Sequence, residues 1–132
     1  MRTEDVKKLV GLALDRVPKP YTEHVIDDVF AVIEGDPERW INFVHHDDAA
    51  AAVARAADRA PAGATYNVAD ADPQRRREYY TLLGTLLGRP APAFVPRGPG
   101  GPGRRVLATR IATELGFDLR YKSVREGLPA SL

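Results

Sequence analysis

Ile41-Asn42-Phe43-Val44-His45-His46-Asp47-Asp48-Ala49-Ala50 is the stretch whose reading decides the fold of this 132-residue chain. Phe43 and Val44 favour an extended backbone, because aromatic and β-branched side chains suit a pleated, half-buried surface. An aspartate just ahead of Ala49 offers a carboxylate to the free N–H groups of a helix's first turn. The alanine-rich run that follows, to about Arg59, has high helix preference. The stretch therefore predicts strand, cap and helix in succession, with Asp47 or Asp48 as the cap.

Working outward toward the C-terminus, short strands and helices alternate. Pro61 and Gly63 end the alanine helix, and Thr65 to Val68 has the composition of a short strand. Asp70, Asp72 and Pro73 are start signals for a helix that carries Tyr79, Leu82, Leu83, Leu86 and Leu87 on one face and ends at Gly88 and Pro90. Phe94-Val95 is extended between prolines, and Gly98 to Gly103 forms a proline- and glycine-rich loop. A helix over Thr109 to Leu115 exits at Gly116. Phe117, Leu119 and Tyr121 then alternate with polar residues as in a half-buried strand, and Ser123 caps a last turn to Leu128.

Toward the N-terminus, Asp36-Pro37 marks a turn, and residues 1–35 read as a helical hairpin. Thr3 caps a first helix whose Val6, Leu9, Val10, Ala13, Leu14 and Val17 recur at the three-and-four spacing of one apolar stripe, and Pro18 and Pro20 stop it. Thr22 caps a second, with Val25, Ile26, Val29, Phe30 and Ile33 in its stripe and Gly35 at its exit. Helices this short are marginal alone in water, so their stripes need an apolar counterpart. Leu9, Leu14, Ile26, Phe30 and Ile33 are the interface candidates, set against either the Ile41 strand or another protein. The fold class expected is α/β, a helix-rich mixed domain over 36–132 with a few short strands, preceded by the hairpin and lacking a complete Rossmann domain.

Composition removes several function classes. A chain without cysteine has no disulfide, thiolate metal site or cysteine nucleophile, and its default setting is the cytoplasm. A net charge of +1 gives no general attraction to nucleic acid or to an anionic membrane, and no apolar run approaches the roughly 20 residues that cross a bilayer. Another protein, or a second copy of the chain, is the partner expected. Ser123 and Ser131 are the only serines, and neither lies in a nucleophile elbow.

The decapeptide resembles the Phe-Val-His-Val-Asp-Asp-Val-Ala signature in the C-terminal half of extended and atypical short-chain dehydrogenases/reductases, the NAD-dependent epimerase/dehydratase group. Later pieces follow in that family's order: Tyr66 to Asp70 is similar to its Tyr-Asn-Val-x-Asp strand, and Arg77 to Gly88 to its Arg-Glu-Tyr-Tyr-like helix ending in Leu-Gly. Pro90 to Pro102 resembles its proline-rich link, Arg104-Arg105 its arginine-rich turn, and Leu115 to Leu128 its Leu-Gly-x-x-x-Arg-Tyr-x-Ser-x-Arg-Glu-Gly-Leu terminus. His45 matches the family histidine, while His46 stands where valine is usual. The resemblance covers the substrate-side segment, which in the family follows a nucleotide-binding domain.

A dinucleotide site needs a strand, a glycine turn and a helix N-terminus facing the pyrophosphate. No such unit precedes residue 41, and the cluster Gly98-Pro99-Gly100-Gly101-Pro102-Gly103 carries prolines where a phosphate cradle requires N–H donors. The Tyr-x-x-x-Lys pair of the family is missing: Val25, Asp70, Leu83, Gly84 and Arg125 stand four residues after the five tyrosines. No catalytic residue and no cofactor is therefore expected, nor a metal, because adjacent His45 and His46 on a strand would point to opposite faces. His45, Asp47 and Asp48 are expected to act structurally. Where the resemblance holds, Arg104, Arg105 and Arg110 lie by the substrate cleft and are candidates for contact with an anionic group. The leading functional expectation is a non-catalytic binding or interaction module. Competing readings are half of a split NAD-dependent epimerase or reductase, completed by a separate nucleotide-binding chain, and a small regulatory or inhibitory protein, natural or designed.

Overall fold

A computed structural model describes residues 32–96, 98 and 100–132. Among them are four helices and four short strands in an α/β arrangement, divided between two compact units. In the described residues, the first unit comprises 42–72 and 106–132, and the second comprises 32–41 and 73–105 apart from positions 97 and 99.

The first unit is helical. Helix α1, His46–Arg59, is made mostly of alanine, and α2, Thr109–Leu115, packs against it; α3, Val124–Ser131, closes the chain. Small side chains let the two helices approach, and the core is Ala52, Ile111, Leu115 and Phe117 with Ala56, Tyr66, Val68 and Leu119 around it. Gly116 ends α2 at φ +62, the left-handed conformation that a residue with a β-carbon rarely adopts. Ser123 caps α3 by accepting the N–H of Arg125 at 3.1 Å, as its sequence position predicted.

In the second unit, β1 (Val32–Glu34) runs parallel to β4 (Ala93–Val95), with Ile33 opposite Phe94. Strand β2 (Trp40–Ile41) pairs antiparallel with β3 (Gln74–Arg75), Trp40 lying opposite Arg75. Helix α4, Arg76–Leu87, follows β3 directly and ends at Gly88, φ +65, where the sequence placed its exit. Glu78 accepts the Arg75 N–H at 2.7 Å and so satisfies one donor at the start of α4.

Several sequence expectations are corrected. Ile33 lies in strand β1, not on a helix stripe; Val32-Ile33 are β-branched, and the register with β4 outweighs the helical spacing. Leu9, Leu14, Ile26 and Phe30, with the rest of the expected hairpin before residue 32, lie outside the described residues. The strand of the organising stretch is Trp40–Ile41; Phe43-Val44 belongs to no strand, although the Phe43 carbonyl accepts the Asp70 N–H at 2.6 Å. The helix expected from Asp70 to Pro73 begins at Arg76 because the chain first pairs with β2. Thr65 to Val68 and Phe117 to Tyr121 form no ladder: the alternating burial is real, but the N–H groups of Arg120 and Tyr121 go to a carboxylate.

Candidate functional site

The signature residues converge at the start of α1. His45, in extended conformation, is the N-cap: its Nδ1 accepts the N–H of Asp47 at 3.1 Å. Neither Asp47 nor Asp48 caps the helix, which begins two residues earlier than the composition suggested. Asp47 lies in the first turn, where its charge complements the helix dipole. Asp48 is 3 % exposed, and its two carboxylate oxygens accept the N–H groups of Arg120 and Tyr121 at 2.8 and 2.9 Å. This carboxylate does the work that a partner strand would do for residues 120 and 121, tying the C-terminal segment to α1.

The imidazole of His45 has only 4 % of its side chain exposed. It stacks on His46 with ring centroids 4.2 Å apart and lies 4.0 Å from the Tyr121 ring. Since Nδ1 accepts a hydrogen bond, the neutral ring carries its proton on Nε2, a buried atom with no partner among the described residues. Burial first, and then the neighbouring His46, hold the His45 pKa below its ordinary value. Gly127 makes the stack possible, because a β-carbon there would lie 3.2 Å from His45 Cδ2 and 3.5 Å from the Tyr121 Cβ.

His45, His46 and Asp47 bring potential metal-ligand atoms within 4.8 Å of one another. The geometry is that of a stack rather than a chelate: the rings are inclined by only 30°, and the Nδ1 lone pair is engaged by the Asp47 N–H. Two imidazoles that coordinate one ion must both contain it in their ring planes, which stacked rings at this separation do not allow.

A second group of carboxylates anchors α3. Asp70 accepts the Asp72 N–H at 3.1 Å and also accepts from Val124, while the Ser123 hydroxyl donates to Asp72 at 2.7 Å. Burial pushes the Asp70 carboxyl up to about 6, against the opposing effect of its backbone hydrogen bonds. The third arginine candidate, Arg110, is engaged: it donates to Glu114 at 2.7 Å and to the Thr65 carbonyl at 3.0 Å, and it lies over the Tyr66 ring, whose hydroxyl also donates to Glu114. The Arg110 and Tyr66 hydrogen bonds hold the Glu114 carboxyl below its ordinary value.

In the second unit the Arg104-Arg105 pair lies beside an unanticipated centre, Trp40. The Arg75 guanidinium sits 4.3 Å from the indole centroid and that of Arg105 sits 5.1 Å from it. Arg75 donates to the Glu38 carbonyl and pairs with the Glu38 carboxylate at 3.5 Å, which Arg77 shares at 2.8 Å. The glycine loop serves this centre. Trp40 donates its N–H to the Pro102 carbonyl at 2.7 Å, and a β-carbon at Gly103, φ +72, would lie 3.0 Å from Arg39 Cγ and 3.1 Å from the Trp40 carbonyl oxygen. The loop lies after a strand, β4, but no helix begins until Thr109 among the described residues, so it forms no cradle at a helix N-terminus; Gly103 serves close packing on the Trp40 backbone, and a β-carbon at Gly100 would meet the Asp36 side chain. Arg39, Trp40, Arg75, Tyr121 and Gly127 were not among the site residues expected from sequence. Arg75 was legible as the start of the basic run Arg75-Arg76-Arg77, read as a solvated surface, and Tyr121 and Gly127 lie in the family-like terminus; Arg39-Trp40 was an aromatic beside an arginine in a chain with one tryptophan.

No model of a known protein family matches the sequence. Protein YeeZ of Escherichia coli K12 is 30% identical over 86 residues, covering 65% of this chain and 31% of that protein. A chloroplastic epimerase family protein of Arabidopsis thaliana, the SDR39U1 homolog, is 31% identical over 107 residues, covering 73% of this chain and 30% of that protein. The chain thus spans about a third of the length of the curated relatives it matches. Among solved structures, the dTDP-glucose 4,6-dehydratase of Bacillus anthracis in complex with NAD superposes with a TM-score of 0.65 at 20% identity, over 75% of this chain and 32% of that one. The UDP-glucose 4-epimerase of Thermotoga maritima with UDP-glucose gives 0.65 at 23% identity, over 74% and 32%. The fold is shared with part of these two proteins.

Proposed function

We propose that residues 36–128 correspond to the substrate-side C-terminal segment of an NAD-dependent epimerase/dehydratase fold and act as a non-catalytic binding module. The observation that carries this reading is how the signature spends its polar groups. His45 Nδ1 caps α1, and both Asp48 oxygens hold backbone N–H groups, so the residues most like acid–base machinery are occupied in folding. Of the arginines suggested for contact with an anion, Arg104, Arg105 and Arg110, the last is held by Glu114 and Thr65, and Arg105 lies against the Trp40 ring. A cytoplasmic setting and a protein partner belong to the same proposal. Titration calorimetry with NAD and with NADP tests it: no saturable binding is expected below about millimolar concentration, equivalent to roughly 4 kcal/mol. A micromolar dinucleotide site would overturn the non-catalytic reading.

One observation favours a second reading, in which a separate nucleotide-binding chain completes an epimerase or reductase. Strands β1 and β4 form a two-stranded parallel pair among the described residues, with Val32 and Val95 49% and 41% exposed. Parallel sheets are ordinarily larger and covered on both faces. Affinity capture with the tagged chain separates the readings: recovery of a protein with a glycine-rich dinucleotide motif, together with NAD-dependent activity of the pair, establishes the split enzyme.

A further inference from the structure

We propose that His45 is an acid-sensitive catch for the C-terminal helix: when its imidazole takes up a proton, α3 leaves the His45–Tyr121 ring stack and unfolds locally, while the core between α1 and α2 stays intact. The ring is held in a way that only its neutral form satisfies. Nδ1 accepts the Asp47 N–H at 3.1 Å, Nε2 is buried with no partner among the described residues, and 4% of the side chain is exposed. A second proton must go on Nδ1, where it would face the Asp47 N–H donor to donor. Both ring N–H groups would then be buried without an acceptor. The Asp47 carboxylate does not repair this in place, since its Oδ2 lies 3.9 Å from Nδ1, beyond hydrogen-bond reach.

The element that gives way is α3. The apolar cluster of Ala52, Ile111, Leu115 and Phe117, with the side chains packed on it, includes no residue of α3, which buries only Val124 and Gly127. Its attachments include the Ser123 hydroxyl to Asp72, the Val124 N–H to Asp70, and the approach of Gly127 to the His45 ring. A segment with so little apolar burial opens at lower free energy than the whole unit, and eight residues do not hold a helix alone in water. The charges facing the ring set where release occurs. His46, stacked at 4.2 Å, and Arg120 oppose a charge on His45, whereas Asp47 and Asp48 favour it. Tyr121 is the other ring neighbour, at 4.0 Å, and from α3 Gly127 lies at the ring while Glu126 accepts the Lys122 N–H at 3.2 Å. Asp70, at the Val124 end of α3, acts in the opposite sense: acidification neutralises it in its buried position, so it does not account for a loss of α3 at low pH. The catch needs no ligand or partner, and it stands whether or not the module is catalytic.

Amide hydrogen exchange of the whole chain, followed by NMR between about pH 7.5 and about pH 5 and expressed as protection over the intrinsic rate at each pH, reads the release. The Glu126 and Gly127 N–H groups, each bonded to the Ser123 carbonyl at 3.0 Å, are expected to lose protection about tenfold, with a midpoint below about pH 6.5. Amides of residues 52–56 in α1 are expected to change by less than about threefold. The His45 ring titration in the same samples is expected to share the midpoint of the α3 loss. His45→Asn keeps a side-chain oxygen for the cap and does not titrate, so its α3 protection is expected to be independent of pH. In chains that retain His45, His46→Gln is expected to move the midpoint to higher pH and Asp47→Asn to lower pH, a readout that does not rely on His45→Asn folding. The proposal is overturned if α3 stays protected while His45 titrates, if α1 and α3 lose protection together, if His45→Asn retains the pH-dependent loss, or if His46→Gln and Asp47→Asn move the midpoint the same way.

Discussion

The start of α1 and the surroundings of Trp40 are both rich in charge and aromatic rings, yet they balance it differently. Around His45, ionisable groups are absorbed by the backbone: a buried carboxylate holds two N–H groups, an imidazole caps a helix, and Asp70 and Asp72 fasten the start of α3. Around Trp40, the Arg75 and Arg105 guanidiniums lie against the ring, Glu38 pairs with Arg75 and Arg77, and Arg105 is exposed. A buried charge is tolerated only when it is hydrogen-bonded, so the first region is consumed by its own stability. An exposed charge carries no such obligation, and the second region is free to meet something else.

The contrast is broken most severely by Asp48→Ala. It leaves the N–H groups of Arg120 and Tyr121 without their acceptors in a buried site, and the expected loss in chemical denaturation is about 3 to 5 kcal/mol. A loss below about 1 kcal/mol would show that water replaces the carboxylate and that the region is looser than described.

His45→Ala comes next, at about 2 to 3 kcal/mol, because it removes both the cap and a ring stacked on Tyr121. Its neighbour supplies the comparison: His46 is 62% exposed at the first helical position, so His46→Val is expected to change stability by less than about 0.5 kcal/mol. Equal losses at the two positions would point to a shared polar site.

The pH dependence of unfolding sharpens the same picture. Asp70 has its folded-state pKa raised from 3.8 to about 6, so its contribution to stability is fully present below the unfolded value and is lost as pH rises through about 6. His45 has its folded-state value lowered from 6.5, so its contribution is present above 6.5 and is lost as pH falls through the lowered value. Between about pH 7 and about pH 5 the two therefore oppose each other. Asp70→Asn is expected to unmask the acid-side loss from His45, separating its stability profile from that of the parent chain by about 1 to 2 kcal/mol across this interval. Parallel profiles would mean that the Asp70 carboxyl titrates as if exposed.

The smallest effect is expected where charge is left over. Arg105→Ala removes one exposed guanidinium from the Trp40 ring and should change stability by under about 1 kcal/mol. A larger loss would make Arg105 a structural residue and erase the distinction between the two regions.

Much of the local structure was legible because its causes are local. The alanine run, the Gly88 and Gly116 exits and the Ser123 cap follow from propensity and backbone freedom, and the structure has them where the sequence placed them. Phe94-Val95 between prolines was legible as extended for the same reason. The strands were harder. Ile33 satisfied a helical spacing as well as a β-branched one, and two- or three-residue strands leave too short a period to distinguish. Phe117, Leu119 and Tyr121 showed strand-like alternation that burial confirms and pairing does not.

What the sequence by itself determined is therefore the presence of the four described helices, the exits at Gly88 and Gly116, the Ser123 cap, the α/β class and the resemblance of the signature, since these follow from local residue patterns. What only the tertiary structure decided is who satisfies whom. Asp48 accepts from residues 72 and 73 positions away, Gly127 makes room for His45, and Arg105 reaches Trp40 through a loop fastened at Pro102. A carboxylate or a guanidinium has the same composition whether it faces backbone, a ring or water. Its role is set by the desolvation and the partners that distant parts of the chain impose on it.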